Sequence, residues 1–386
     1  MKRPNLKKFR KKLNSKTFDQ FFKPVKELIP KMPEQKSGCN KPIKFNAQDQ
    51  LKSLIYYHLE CFDSGRHLLD ELNNDDFAKT VIAPEDGVKK STFFDALNER
   101  GLEQFSFIFE ALKTITVNQP RTSYDEFGKL VAIDGSLIDA VLSMHWADYR
   151  KNSKKAKAHV GFDLNNQIPH KIYLDDGNSA ERPFVDQIIN PGDTSVLDRG
   201  YQSHTRFDQW GDDERHFVCR VKANTTQEII RKNDIKPSSI VFYDAYVQLG
   251  SEQNDNKTKK PLRLIAYKVN GVNYWIATDR FDLEAEQIAF IYKLRWDIET
   301  FFAWWKRHLK VYHLIARSKH GLMIQLLSGL ITFLLIALYC KSRHHESVSI
   351  KRVRQLRIDI RNDSRMSRLD HLLYLILNTI KSLAFF

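Results

Sequence analysis

The hydrophobic pattern changes period at Gly128, and that change limits most strongly what this chain can fold into. Before it, apolar residues recur every three and four positions: Phe18, Phe21, Phe22, Val25, Leu28 and Ile29, then Leu51, Leu54, Ile55, Tyr57 and Leu59, and again from Phe93 to Leu112. That spacing belongs to amphipathic helices, with Ser91 and Thr92 expected to cap the helix that starts FFDALNERGLEQF. After Gly128 the runs shorten. KLVAIDGSLIDAV reads as a buried strand ending near Asp134, AHVGFDL as a second strand and HKIYLDD as a third; a helix over 180–189 then leads into TSVLDRGY, a short strand ending at Asp198. Strands in succession, followed by strand and helix in alternation, predict an α/β fold: a mixed sheet covered by helices. HFVCRVKAN adds a strand around Val218 to Val221. Residues 225–278 then alternate β-prone runs with the polar loop SEQNDNKTKK, which predicts a β-rich insertion.

A long helix is expected from near Leu283, with Asp282 as its cap, and it carries YKLRWDIETFFAWWK. This segment places Tyr292, Arg295, Glu299 and Lys306 at offsets 0, 3, 7 and 14. At about 100° per residue they fall within an arc of roughly 60°. One face thus sets a carboxylate between cations, which suits a divalent metal beside a phosphodiester, Glu299 supplying oxygen and Arg295 and Lys306 meeting phosphate. The same spacing equally suits an ordinary salt bridge between Glu299 and Arg295, one turn apart.

Two further carboxylates stand at strand ends, Asp134 in VAID and Asp198 in VLD. Either alone reads as a turn former. Together with Glu299 they make a triad able to hold two Mg²⁺ ions, one activating water or a 3′ hydroxyl and the other stabilising the departing oxygen in an in-line displacement at phosphorus.

Charge names the partner class. Lys and Arg number 61 against 47 Asp and Glu, a formal net charge of +14. Such a surplus favours polyanions, nucleic acid first and an anionic membrane surface second. Cys39, Cys61, Cys219 and Cys340 include no C-x-x-C pair, which excludes a zinc ribbon or a disulfide framework and fits a reducing cytoplasm. The N-terminus is basic but lacks the apolar run of a secretory signal. Leu322 to Tyr339 approaches the length of a bilayer span, yet Gln325, Ser328, Gly329 and Thr332 favour a buried core helix, so no membrane partner is expected.

With these residues in place, the chain resembles bacterial insertion-sequence transposases of the DDE class, in the cut-and-paste, hairpin-forming group with a Y-x2-R-x3-E-x6-K signature. Tyr292, Arg295, Glu299 and Lys306 meet that signature. IDGSLID around Asp134, KAHVGFD, LDRGYQS around Asp198, FVCRVKAN and the long run from TDRFDLEAEQ to WKRHLKVYH carry the likeness further, as do DQLKSLIYYHLECFDSGRHL and STFFDALNER near the N-terminus.

The resemblance implies an RNase H-like core, and with it a division of the chain. Residues 1–122 would be a helical DNA-binding domain, 123–224 the first part of the core, 225–278 the β-rich insertion, 279–345 the second part with the catalytic helix, and 346–386 a helical tail. It implies catalysis and metal binding by Asp134, Asp198 and Glu299, with Mg²⁺ as cofactor and Mn²⁺ able to substitute, and DNA contacts by Tyr292, Arg295 and Lys306. The partners implied are double-stranded DNA, as the element's terminal inverted repeats and the target, and a second copy of the chain in a synaptic dimer. The reaction implied is cleavage at the element ends through a hairpin, then strand transfer; the alternative is an inactive protein that occupies ends and inhibits transposition.

Other residues take plainer roles. Trp275, Tyr274, Tyr243 and Tyr246 are aromatics in the insertion, and none is singled out to hold a flipped base. His159 is expected to be a hydrogen-bonded structural histidine, and Lys222 a DNA contact or a solvated lysine. Of the basic runs Lys2 to Lys12, Arg150 to Lys157 and Lys341 to Arg357, at least one is expected on the DNA backbone. Of Trp304 and Trp305, one is expected in the core.

Overall fold

The computed structural model describes residues 15–35, 43–84, 86–117, 124–311 and 313–365; the run from Lys2 to Lys12 and Cys39 lie outside the described residues. The chain divides into two units, one of Met1–Asn118 with Trp304–Phe386, the other of Gln119–Ala303.

The first unit opens with helices. α1 (Lys16–Leu28) starts where the Ser15 hydroxyl accepts from the Phe18 N–H at 3.1 Å, and it buries Phe18, Phe21, Phe22, Val25 and Leu28. α2 (Ala47–Glu60) begins with a reciprocal cap between Asn46 and Asp49, and α3 (Gly65–Asn74) behind a Ser64 cap. α4 (Lys90–Glu99) corrects the expected cap. The Phe93 N–H already bonds the Lys89 carbonyl at 3.0 Å, which leaves Ser91 and Thr92 inside the first turn. α5 is Leu102–Val117.

The second unit is built on strands β1 (Leu130–Ala140), β2 (Asp148–Arg150), β3 (Ser153–Asp163), β4 (Ile168–Asp176), β5 (Thr194–Leu197), β6 (His216–Arg220), β7 (Gln227–Lys232), β8 (Val241–Leu249), β9 (Leu262–Val269) and β10 (Val272–Thr278), with helices α6 (Arg182–Ile188) and α7 (His204–Asp212) between β4 and β6. They form one ten-stranded mixed sheet in the order β2-β3-β1-β5-β6-β10-β9-β8-β7, with β4 also on β3. β1, β5 and β6 run parallel, and the remaining pairings are antiparallel.

The first strand does not end near Asp134, as its sequence led us to expect. β1 continues to Ala140 because β3 stays in register with it from Val131↔Asp163 to Ala140↔Lys154. What stops is its parallel partner: β5 pairs β1 only from Leu130↔Thr194 to Ala132↔Val196.

One face of the sheet packs Val131 and Ile133 with Val185 and Ile188 of α6 and with Phe207 and Trp210 of α7. Phe207 stacks on Phe217 at 4.4 Å between centroids. α6 lies directly on the β3 backbone at Gly161, where an added Cβ would stand 2.4 Å from Ile188 Cγ2. In β8 and β9 the buried Asp244 takes Arg263 in a two-pronged pair at 3.0 and 2.8 Å.

α8 (Ala285–Leu294) is capped by Glu284, whose N–H bonds Gln287 at 2.8 Å, rather than by Asp282, which instead accepts two bonds from Arg280. α9 (Trp296–His308) follows at once. The Arg295 N–H reaches the Tyr292 carbonyl at 3.2 Å, a tightened turn of the kind common at helix ends. The segment read as one helix is therefore two, joined at Arg295. The division between the units falls inside α9, at Ala303 and Trp304.

In the first unit, Trp305 of α9 is fully buried. α10 (Lys319–His344) is long and apolar enough to cross a membrane by length and composition, and 83% of its most apolar stretch is buried inside the protein. Its polar groups are used internally. Gln325 donates to the carbonyls of Val311 and His313, each at 2.9 Å, and the buried His58 ring of α2 meets the carbonyls of Leu309 and Gln325 and the Ser328 hydroxyl at 2.8, 3.1 and 2.9 Å. A last helix, α11 (residues 350–365), buries Val353, Leu356 and Ile360.

Candidate active site

Parallel pairing of β1 with β5 sets the geometry of the site. Ala132 and Val196 are the last paired residues, so Asp134 and Asp198 each lie two positions further along neighbouring strands. There β5 ends and β1 continues beside β3, which opens a crevice at the carboxyl ends of parallel strands. Asp134 Oδ1 accepts from the Gly135 N–H at 2.8 Å, and Asp198 Oδ1 from the Gly200 N–H at 2.7 Å. Burial pushes the Asp134 carboxyl up to about 6. The Gly135 amide and Arg295 offset that only in part, and Asp198 and Glu181 push it further.

Arg295 stands at the α8–α9 junction, 12% exposed, with Nη2 donating to Glu299 Oε1 at 2.7 Å. The Tyr292 ring is buried with its centroid 5.8 Å from the guanidinium. Burial acts to lower the Arg295 pKa, but Tyr292, Glu299 and Asp134 outweigh it and hold it above its ordinary value. Burial likewise raises the Tyr292 phenol. The structure thus joins Tyr292, Arg295 and Glu299 by contact and brings the charge of Arg295 to bear on Asp134. Lys306 is half-buried in the part of α9 that belongs to the helical unit.

Among the described residues, no three His, Cys, Asp or Glu side chains stand close enough to hold a metal ion together. The donor chemistry of the two aspartates still fits a hard divalent cation, because both offer carboxylate oxygen and their mutual repulsion in a half-buried crevice is relieved by positive charge. Glu299 Oε1 is taken by Arg295.

Two residues here went unremarked in the sequence. Tyr201 is 1% exposed; burial raises its phenol well above the ordinary value, and the neighbouring charges of Glu181, Asp134 and Asp198 and a hydrogen bond to Glu181 add to that. Glu181, at the start of α6, has its Oε1 3.4 Å from Lys157 Nζ. A glutamate before a short helix is commonplace in a sequence. The usable signal was its position in the crossover from β4 to β5, which passes the end of the strand carrying Asp198.

The plainer expectations resolve locally. His159 is buried, contacts the Ser179 hydroxyl at 3.1 Å and stacks on Phe184 at 3.7 Å; burial lowers its pKa to about 4. Trp275 packs against the core beside Tyr243 at 5.2 Å, Tyr274 stacks on Tyr267 at 5.3 Å, and Tyr246 on Phe281 at 5.3 Å. Lys222 is exposed. In the run from Arg150 to Lys157, Lys154 pairs with Asp148 at 3.1 Å and Lys155 with Asp139 at 2.6 Å.

Comparison with known proteins converges on the same stretch. Residues 125–335 match the family described as the transposase DDE domain. The chain is 30% identical over 210 residues to a Geobacillus stearothermophilus protein whose name describes a transposase for insertion sequence element IS5377, the match covering 53% of this chain and 55% of that one. It is 29% identical over 210 residues to a Sinorhizobium fredii protein named as transposase y4zB, covering 53% and 59%, and 22% identical over 279 residues to a Synechocystis protein named for insertion sequence element IS4SA, covering 69% and 76%. The chain thus spans little more than half the length of the first two relatives.

Proposed function

Because the chain belongs to the transposase DDE domain family, we propose that it is an insertion-sequence transposase that cuts DNA at the ends of its element and joins them to a target. The observation that carries this reading is the placement of Asp134 and Asp198 at the ends of adjacent parallel strands, with the charge of Arg295 on Asp134 and its guanidinium on Glu299. The order β4-β3-β1-β5-β6, with β1 antiparallel to β3 and parallel to β5, supports an RNase H-like core. The antiparallel strands β7 to β10, which extend the sheet beyond β6, support an insertion over residues 225–278.

Asp134, Asp198 and Glu299 are the residues that would hold Mg²⁺ or Mn²⁺; a divalent ion bound there supplies Lewis-acid activation of the attacking hydroxyl and stabilises the oxygen that leaves. Arg295 holds Glu299 in the protein alone. A DNA phosphate accepting from the same guanidinium competes for it and frees Glu299 to turn toward the aspartates. Tyr292 packs against Arg295 and keeps the guanidinium from swinging into solvent, and Lys306 adds a further phosphate contact. In the reaction, water attacks phosphorus and releases a 3′ hydroxyl; that hydroxyl attacks the opposite strand to close a hairpin, which water reopens before the 3′ end attacks target DNA. Two ends must be held together, which calls for a dimer of the chain.

The test is cleavage of DNA bearing the element's own ends by the full-length protein with Mg²⁺. Asp134→Asn, Asp198→Asn and Glu299→Gln should each abolish cutting while end binding survives. Cutting by Glu299→Gln at the wild-type rate refutes the triad. End binding by the wild-type protein without metal-dependent cutting favours the inhibitor reading instead.

A further inference from the structure

We propose that Arg220 is a second guanidinium that grips the phosphodiester presented to Asp134 and Asp198, held for that task over the ring of Tyr274. The inference rests on the reading of the two aspartates as the centre of the cutting site.

The register of three parallel strands carries the first observation. β5 pairs β1 up to Ala132↔Val196 and β6 up to Leu197↔Cys219, and Asp198 keeps extended backbone, so continuing those registers puts Asp134, Asp198 and Arg220 in one row. Each follows a residue of the core beneath α6 and α7, namely Ile133, Leu197 and Cys219. Successive residues of an extended strand point to opposite faces, so the two carboxylates and the arginine share the other face. Neighbouring strands lie about 4.8 Å apart, which sets the Arg220 backbone one strand from Asp198 and two from Asp134.

The second observation is where the guanidinium goes. Its Cζ lies 4.7 Å from the centroid of the Tyr274 ring on β10. Among the described residues Arg220 is in no ion pair, although Asp198 is its neighbour in the row. Tyr274 in turn stacks on the buried Tyr267 at 5.3 Å, which anchors the platform in the sheet. A guanidinium over an aromatic face keeps its N–H donors for acceptors in its own plane, and phosphate oxygens suit that fork.

This pair also stands beside the one already described. The Tyr274 and Tyr292 rings are 6.1 Å apart between centroids, and Tyr292 carries Arg295. Burial raises the Tyr292 phenol, Arg295 and Arg220 pull it back, and Asp198 pushes it further up, so both cations and the second aspartate act on one ring. The two guanidiniums differ in one respect. Arg295 must give up Glu299 to take a phosphate, whereas Arg220 has no carboxylate to give up. A phosphodiester approaching two carboxylates is repelled, and a fixed guanidinium in their row offsets that repulsion.

Fluorescence anisotropy in EDTA, with the full-length protein and a duplex bearing the element's end, tests this when the cleaved phosphodiester is either natural or a neutral methylphosphonate. Loss of that charge should cost the wild type about ten times more affinity than it costs Arg220→Met, because only the wild type has the Arg220 contact to lose. Arg220→Met should also lower the salt dependence of binding to the natural duplex by about one phosphate. Arg220→Lys keeps a point charge and should show an intermediate cost, and it carries the same comparison should the methionine variant not fold. Tyr274→Leu should weaken binding, and Tyr274→Phe, which keeps the ring, should weaken it less. Far-ultraviolet circular dichroism confirms that each variant is folded. Equal methylphosphonate costs in wild type and Arg220→Met, with Asp134→Asn unable to cut in Mg²⁺, overturn this inference alone. Cutting by Asp134→Asn at the wild-type rate overturns the reading of the aspartates and this inference with it.

Discussion

Asp134 and Asp198 stand side by side because Ala132 and Val196 are paired: the register of three residue pairs between β1 and β5 puts two carboxylates, 64 positions apart in sequence (198 minus 134), at equal distances past the last rung. A single slip of that register would turn one of them to the opposite face.

This placement has an energetic signature in the metal-free protein. Asp134 has its pKa raised from 3.8 to about 6, so the folded state holds the proton more tightly than the unfolded chain. Its stabilising contribution is complete below pH 3.8 and is lost as pH rises through about 6. At pH 7 the charged carboxylate then costs up to roughly 3 kcal/mol. Asp134→Asn should accordingly raise the unfolding midpoint in EDTA at pH 7, the gain vanishing near pH 4, while cleavage is lost. Denaturant melts of both proteins across pH 4–8 measure it; a variant less stable than wild type at pH 7 contradicts the assignment.

Arg295 links DNA to the third carboxylate. Arg295→Met should lower affinity for element-end DNA about tenfold and reduce the salt dependence of binding by about one phosphate contact. Arg295→Lys should recover the charge but only part of the affinity, because an ammonium cannot offer phosphate the paired donors of a planar guanidinium fork. Fluorescence anisotropy titrations at several salt concentrations resolve the two effects.

Packing of α6 on β3 depends on Gly161. Gly161→Ala would drive a methyl group into Ile188 Cγ2 and, at 3.3 Å, Val131 Cγ1, so a loss of about 1–3 kcal/mol is expected. Gly161→Ala with Ile188→Ala should cost less than the sum of the two single changes. Urea melts of the four proteins give the coupling.

In the helical unit, burial lowers the pKa of His58 to about 4. The unfolded chain takes up this proton near pH 6.5 and the folded one only near 4, so His58 makes stability fall as pH drops through that window, at a slope approaching about 1.4 kcal/mol per pH unit. His58→Asn should remove this part of the acid sensitivity. Comparing the two proteins cancels His159, which is lowered alike; parallel stability curves would show that His58 is not the titrating group.

Much of this architecture was legible because local pattern matched local structure. The strand runs around Ile133, Val160 and Val196 and the helical stripe from Phe18 to Leu28 are each decided within a few residues, and two aspartates at strand ends drew attention without any knowledge of pairing. What stayed hidden depends on partners distant in sequence. β1 outruns Asp134 because β3 supports it. The break at Arg295 has no Gly or Pro to announce it. Glu181 lies against Gly135, a residue 46 positions earlier (181 minus 135), a contact no local pattern announces.

The division of the chain orders its own synthesis. α10 packs against α1, α2, α4 and α5, yet it is synthesised only after the whole of the sheet unit. A nascent chain therefore completes β1 to β10 while the apolar faces of α1 to α5 still await their central helix. Truncation before Lys319 would leave those faces bare and the helical unit unable to close, however well the strands had paired.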